Sequence, residues 1–246
     1  MILELGTGWY PVIPILFYLT SSGSVVSVDI QQWMNRQTQL DTIRKFREWR
    51  ERGLLDIPEV EIDEGRWTRL SDLLDNPGSI QKEEIDRIIG LTPIVGDASN
   101  LPMENNSVDF ICSNNTFEHI PGMVLKNILV EFRRILCPGG VMSHFIDMSD
   151  HFAHFDSHIT IYNFLKYSSR TWSRIDNSIQ PQNRMRYRDY LELYRETGIP
   201  VSHEEIREGS LEDLEKVKVH QEFTSYTPEE LAISHAYIIT QEKALS

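Results

Sequence analysis

The sequence predicts a doubly wound α/β fold, a mostly parallel sheet of about seven strands with helices on both faces. Three observations lead there. Short apolar runs alternate along the chain with longer segments of helical period. The loops after the early apolar runs carry Gly, Asp and Asn, the residues that collect at the carboxyl edge of a parallel sheet. Residues 1–246, 40% of them hydrophobic, suffice for one well-buried core and are read as a single domain.

In chain order, Met1–Leu5 is a short apolar strand running into the loop Gly6–Tyr10. Val12–Leu19 starts a helix, and Val25–Ile30 is a second strand that ends in an acid. A long amphipathic helix covers Gln32–Arg52. The stretch 54–90 holds ten acids against four bases, with Pro58, Gly65 and the Asn76–Pro77–Gly78 turn as breakers, and reads as an insertion of short helices. A strand at Thr92–Val95, the loop Gly96–Pro102, a buried strand at Val108–Ser113 and a helix at Gly122–Leu136 follow. The turn Cys137–Gly140 closes that helix, and Val141–Met148 is the next strand. Residues 150–187 have no clean period and are read as a substrate-side loop or lid. Arg188–Glu196 is a helix closed by Gly198, and strands at Val201–Arg207 and Ala236–Thr240 finish the sheet.

Charge and composition narrow the function classes. A net charge of −13 opposes broad binding to nucleic acid, which is driven by counterion release to Lys and Arg. The basic stretch from Arg44 to Arg52 is interleaved with Glu48 and Glu51 and reads as a solvated helix face. No apolar run reaches the ~18 residues of a membrane helix. Pro11–Leu19 is short and lacks the basic leader of a signal peptide. Cys112 and Cys137 stand in no metal-like spacing and read as reduced thiols of a cytoplasmic protein.

The first loop, Glu4–Leu5–Gly6–Thr7–Gly8, brings backbone close to a ligand with no Cβ in the way. A Gly-x-Gly after a strand is shared by many nucleotide-binding folds and by ordinary tight turns. Three further features fall on the same sheet edge. Asp29 ends the second strand, where a carboxylate can accept both hydroxyls of a ribose. Gly96–Asp97–Ala98 ends the third, and Asn114 through Ile120 follows the fourth.

With these residues the chain resembles the class I S-adenosylmethionine-dependent methyltransferase family. The resemblance lies in ELGTG at Glu4–Gly8, VDI at Val28–Ile30, GDASNLP at Gly96–Pro102, DFICSNNTFEHIPG at Asp109–Gly122 and FRRILCPGG at Phe132–Gly140. It covers roughly the first 150 residues, in the Rossmann-like form of the fold. The resemblance implies an antiparallel last strand and S-adenosyl-L-methionine as cofactor. It implies that Gly6, Thr7 and Gly8 pass its methionine part, that Glu4 supports the loop, and that Asp29 holds the ribose. Ile30 would pack on the adenine, and Asp97 and Ala98 would read its edge. Asn114 would lie beneath the methionine moiety, and Glu118 and His119 beside the substrate. Two departures stand out. Tyr10 occupies a position the family gives to a small residue, and the chain opens at the first strand, so the N-terminal cover helices of the family are expected to be missing.

Methyl transfer asks a protein to align nucleophile and methyl and to exclude water. A hydroxyl nucleophile also needs a base or a metal. The segment Asp150–His158 is dense in imidazoles and acids. His154, Asp156 and His119 are the candidate proton-handling residues, because imidazole is suited to proton abstraction near neutral pH. His154, Asp156 and His158 alternate and could bind a divalent metal instead, or only bond to backbone. The proton-handling reading is preferred to the metal one, and no metal is assigned. Tyr162, Tyr167, Trp172 and Asn177 suggest a lid or pocket, against the commoner reading of such aromatics as core. Arg184, Arg186 and Arg188 alternate and could grip an anionic group, but are read as surface residues.

The acceptor is expected to be a small molecule, a hydroxyl of a sugar or other metabolite, with no nucleic acid and no membrane as partner. Oligomeric state is not readable. One rival is an NAD(P)-dependent short-chain dehydrogenase or epimerase, since Tyr162-x-x-x-Lys166 preceded by Ser149 has that family's spacing. Against it, Trp9, Tyr10 and Pro11 fill the space a pyrophosphate needs. The other rival is a non-catalytic cofactor-binding relative.

Overall fold

In a computed structural model the structure describes residues 1–20, 23–75, 77–78, 80–176 and 181–241. Asn76, of the expected turn, and Asn177, of the expected lid, lie outside the described residues. The strands, numbered in chain order, are β1 (Ile2–Leu5), β2 (Val25–Asp29), β3 (Leu91–Val95), β4 (Val108–Asn114), β5 (Leu136–Asp147), β6 (Val201–Arg207) and β7 (His235–Gln241). They form one seven-stranded sheet in the order β3-β2-β1-β4-β5-β7-β6. β1, β2 and β3 pair in parallel, and β7 is antiparallel to both β5 and β6, so the last strand is antiparallel as expected. By its contacts the chain divides into two compact units, Met1–Ala98 with Ser107–Cys112, and Ser99–Asn106 with Ser113–Ser246.

In the first unit, β1 and β2 are continuous buried runs, the pattern of parallel strands covered on both faces. Helix α1 (Val12–Thr20) tolerates Pro14 because a first-turn residue has no intrahelical N–H to lose. Helix α2 (Arg36–Glu51) begins four residues later than the sequence suggests. Asn35 caps it, accepting the amides of Gln37 and Thr38 while Thr38 returns a bond to the cap. Arg44, Lys45 and Arg50 of α2 and Arg52 at its C-cap pair with Asp41, Glu48 and Glu64, the solvated face the sequence indicates.

The acidic stretch 54–90 forms α3 (Glu64–Asp72) and α4 (Lys82–Ile88). It is more than an appended insertion. Leu55, Leu70, Ile80, Ile85 and Ile89 enter the same core as Ile15, Leu19, Leu40, Ile43 and Phe46. Each such side chain contributes roughly 1.5–3 kcal/mol by burial, so the segment holds the unit together.

In the second unit, α5 (Gly122–Ile135) buries Leu125, Ile128, Leu129, Phe132 and Ile135 at helical spacing and packs on α7 (Tyr187–Thr197). Its Arg134 donates to Glu131, to the carbonyls of Leu101 and Met103 and to the Asn105 side chain, while Glu131 accepts the Leu101 amide at 2.7 Å. These bonds pin the loop 99–106. β5 starts at Leu136, directly after the helix, where the sequence suggests a separate turn up to Gly140. Gly139 bends the backbone at a positive φ, and a Cβ on Gly140 would lie 2.8 Å from the Cys137 carbonyl. The glycines therefore let helix pass straight into strand. α6 (Ser169–Ile175), α8 (Leu211–Glu215) and α9 (Pro228–Ala232) surround a satellite core of Tyr162, Phe164, Leu165, Trp172, Leu214 and Phe223. No helix among the described residues is long and apolar enough to cross a membrane.

Candidate functional site

In the first unit the loop after β1 is built around two acids. Glu4, 4% exposed, accepts the Thr7 hydroxyl at 2.5 Å. Burial pushes its carboxyl up to about 7 against the pull of that hydroxyl. Asp29, at the end of β2, accepts the Gly8 amide at 3.2 and 3.4 Å through its two oxygens. It is half-buried, and desolvation raises it to about 6 in spite of that bond. Gly6 and Gly8 both hold positive φ, and a Cβ at Gly8 would meet only the Gly6 carbonyl, 4.0 Å away. The loop thus needs glycine for its conformation and leaves backbone open above Gly8.

Hydrophobic surface surrounds this loop. Ile30 is 69% exposed, Trp9, Tyr10 and Val95 are also exposed, and the Trp9 and Trp33 rings stand 5.1 Å apart. Tyr10, at the position the family gives to a small residue, is exposed, while Pro11 is buried. Ala98 is buried just past β3, and Asp97 precedes it. Glu4, Gly6, Thr7, Gly8, Asp29 and Ile30 are therefore brought together. A cradle free of Cβ atoms, a strand-end carboxylate and an exposed aliphatic side chain suit the sugar and base of a nucleoside.

The second unit carries a different kind of site. Asn114 and Asn115 are exposed at the end of β4, and Phe117–His119 form a single 3₁₀ turn. Glu118 is 2% exposed, and neither carboxylate oxygen has a hydrogen-bond partner among the described residues. The backbone amides of Glu118 and Asp147 favour its charged form. Burial raises its carboxyl well above the usual range, and Asp147 adds to this. It lines a narrow pocket with Asp147, Asn183, Met185 and Tyr190. Asn183 fixes the wall, donating to the carbonyls of Phe117 and Ile120 and accepting the Tyr190 hydroxyl.

Asp147, at the end of β5, has His151 and His235 each 3.5 Å from one of its oxygens, and it accepts the Ser149 amide at 2.8 Å. Burial pushes it up, but His151, Ser149 and His235 together outweigh that and hold it at about 2. His119 Nδ1 donates to the Pro181 carbonyl at 2.8 Å, since a carbonyl can only accept. Desolvation lowers the His119 pKa, favouring the uncharged ring. The rings of His119 and His151 lie 5.1 Å apart, and those of His151 and His154 5.4 Å.

His119 and His154 therefore flank His151. Asp156 belongs to another arrangement, accepting the amide and Nδ1 of the exposed His158. Sequence reasoning passed over Asp147, His151 and His235 as individuals. Asp147 was hidden inside a strand, and His235 sits 84 residues from His151 in sequence.

One reading from the sequence changes. Arg184 and Arg186 are buried rather than at the surface. Arg186 donates to the carbonyls of Met148, Leu231 and Ile233, and Arg184 to those of Phe164 and Tyr167, so both tie strand and loop ends. Only Arg188 is exposed, over the Tyr226 ring and paired with Glu230. Tyr162 is fully buried, donates to the Ala232 carbonyl and accepts the Ser210 amide, while Lys166 bonds to Asn163. A tyrosine so occupied cannot serve as the proton donor of a dehydrogenase, and the Tyr/Lys spacing is structural.

Residues 3–143 match the family model described as a methyltransferase domain. The chain resembles the methyltransferase-like partner of the Trm112 methyltransferase activator of Haloferax volcanii at 16% identity and TM-score 0.52, covering 100% of this chain and 82% of that one. It resembles the geranyl diphosphate C-methyltransferase of Streptomyces coelicolor A3(2), solved with Mg2+, geranyl diphosphate and S-adenosyl-L-homocysteine, at 13% and 0.50, covering 98% and 72%. It also resembles the [4+2]-cyclase SpnF at 12% and 0.50, covering 99% and 75%. At such identities the likeness is one of fold. Comparison with the curated proteins finds no match.

Proposed function

The chain belongs to the methyltransferase-domain family, the class I S-adenosylmethionine-dependent methyltransferases, and from that premise we propose that residues 1–246 act as one domain that methylates a small molecule at a hydroxyl of a sugar or other metabolite. The observation that carries the cofactor side is the half-buried Asp29 carboxylate, held at the end of β2 by the Gly8 amide beside a loop open above its glycines. S-adenosyl-L-methionine supplies, when bound, an electrophilic methyl group on a sulfonium.

The residues divide the work as follows. Asp29 would accept the ribose hydroxyls, and Ile30 would give the adenine an apolar face, with Asp97 and Ala98 at its edge. Gly6, Thr7 and Gly8 would pass the methionine part, with Glu4 bracing the loop through Thr7, and Asn114 would lie beneath it. Glu118 would stand beside the acceptor. Proton handling falls to His154, Asp156 and His119, the last with Nδ1 fixed on Pro181, its pKa lowered by desolvation and Nε2 left as the basic atom. The acidic balance favours a small acceptor over nucleic acid. A cytoplasmic setting suits the reduced thiols of Cys112 and Cys137.

The test is calorimetric titration with S-adenosylhomocysteine, with NAD in parallel, followed by a screen of small hydroxyl compounds for cofactor-dependent methylation. Saturable binding of S-adenosylhomocysteine alone, together with a methylated hydroxyl product, is expected. Binding of NAD alone would overturn the cofactor, and binding without turnover on any acceptor would favour a non-catalytic relative.

A further inference from the structure

The polar cluster of the second unit has more ligating capacity than a general base needs. Glu118, His119 and His151 each offer one ligand atom, and those atoms lie within 4.8 Å of one another. We propose that these three side chains form a site for a divalent transition-metal ion of the zinc type, with an open position for an oxygen of the acceptor. This deepens the methyltransferase reading and rests on it for the role of the ion, though not for its binding.

Three observations point to a metal. The Glu118 carboxylate is buried, lacks a hydrogen-bond partner among the described residues, and shares its surroundings with the two imidazoles. A buried, unpartnered carboxylate is costly to keep, and a bound cation removes that cost. Next, the outer contacts match those of metal-bound histidines, whose second ring nitrogen or edge meets a carbonyl or carboxylate. His119 Nδ1 donates to the Pro181 carbonyl, which leaves Nε2 with a free lone pair, and His151 lies 3.5 Å from the Asp147 carboxylate. Finally, the second unit supplies the whole set from the ends of two strands. Glu118 and His119 follow β4, and His151 follows β5.

The donor set selects the ion. Two imidazoles and one carboxylate suit a borderline first-row ion such as Zn2+, whereas Mg2+ and Ca2+ take oxygen donors. Bonds of roughly 2.0–2.1 Å in tetrahedral geometry put ligand atoms about 3.3 Å apart, so side-chain rotations closing the present spacing complete the site. Three protein ligands leave a position for the acceptor, which favours substrates with an oxygen able to bind the ion and lose a proton there. His119 then serves as ligand, and proton acceptance narrows to His154, whose ring lies beside His151.

The test uses the full chain without a histidine tag, stripped of metal by chelator. Zn2+ is titrated against a chromophoric competitor with no cofactor present, and Co2+ substitution is followed by its visible spectrum. One ion per chain with Kd of about micromolar or tighter is expected, with a raised thermal midpoint. His119→Ala, His151→Ala and Glu118→Ala should each weaken binding by about 100-fold, and Asp147→Asn by about tenfold. His158→Ala, in the exposed pair with Asp156, should leave affinity within twofold. Absence of zinc and cobalt binding, or affinity surviving the His119→Ala/His151→Ala double change, overturns the site. Preference for Mg2+ over Zn2+ overturns the ion. Metal-free enzyme that turns over at full rate sinks only the ion's role, and tight zinc binding with no methyl transfer sinks only the proposed function.

Discussion

Glu4 and Glu118 are both acids buried to within a few per cent, one in β1 and one just after β4. Glu4 has its partner: the Thr7 hydroxyl closes on it and shapes the loop that Gly6 and Gly8 complete. Glu118 has none among the described residues. The difference teaches how to tell an acid that builds a site from one that waits for a ligand. A satisfied buried acid is architecture, whereas an unsatisfied one stores free energy that something else must recover. The first region is thus prepared by backbone and by one half-buried acid, and the second by side chains held in place with unmet bonding capacity.

The largest test of this contrast is kinetic. His154→Ala and His119→Ala, both in the second region, should lower kcat by about 10²–10⁴ while leaving S-adenosylhomocysteine affinity within twofold. Asp29→Ala in the first region should do the reverse, weakening cofactor binding by about 10–100-fold through loss of charged hydrogen bonds. Calorimetry and turnover on the same three variants check the separation. If His119→Ala weakened cofactor binding as much as Asp29→Ala, the division of labour between the regions would fail.

Much of the first region was legible in the sequence because its signals are local. A Gly-x-Gly after an apolar run and an acid at the end of the next run lie within 26 residues, and the loop geometry places them together. The kind of sheet was equally accessible, since alternation indicates a mostly parallel sheet and the family resemblance its antiparallel last strand. The second region was read only in part. His119 and His154 stood out as residue types, but their meeting through His151 depends on how the ends of β4 and β5 and the start of β7 converge. No periodicity encodes that. Arg184 and Arg186 were misread for a related reason: alternation shows that side chains share a face, but not that the face meets the carbonyl ends of other segments. The start of α2 shifted because the Asn35 cap with Thr38 outweighs the apolar pattern that runs through Trp33 and Met34.

A stability experiment compares the two acids directly. Glu118→Leu should stabilise the protein by about 1–3 kcal/mol, because it removes two buried oxygens with no partner. Glu4→Leu should destabilise it by a similar amount, because it strands the Thr7 hydroxyl. For a chain of this size each kilocalorie moves the thermal midpoint by roughly 2–4 °C. Opposite signs in a thermal melt sharpen the distinction. Destabilisation by both would mean that Glu118 is bonded in a way the resting arrangement does not display.

The smallest effect expected is a pH dependence confined to the first region. Asp29 must be ionised to accept both ribose hydroxyls, and burial sets its carboxyl at about 6. Ionisation is nearly complete one unit above that value and about one-tenth complete one unit below it, so affinity for S-adenosylhomocysteine should fall about tenfold between pH 7 and pH 5. The stability sign runs the other way. A carboxyl whose folded pKa is raised favours folding at low pH, so the contribution of Asp29 declines as pH rises from about 3.8 to about 6, and that of Glu4 from about 4.5 to about 7. Lowering the pH therefore relieves the fold while weakening the site, and the two trends separate a binding effect from loss of structure. Asp29→Asn should flatten the affinity profile, and Glu4→Gln should leave it in place while removing the Glu4 part of the stability slope. A profile unchanged in Asp29→Asn would move the titrating group away from the ribose position, and with it the reason this loop needs an acid.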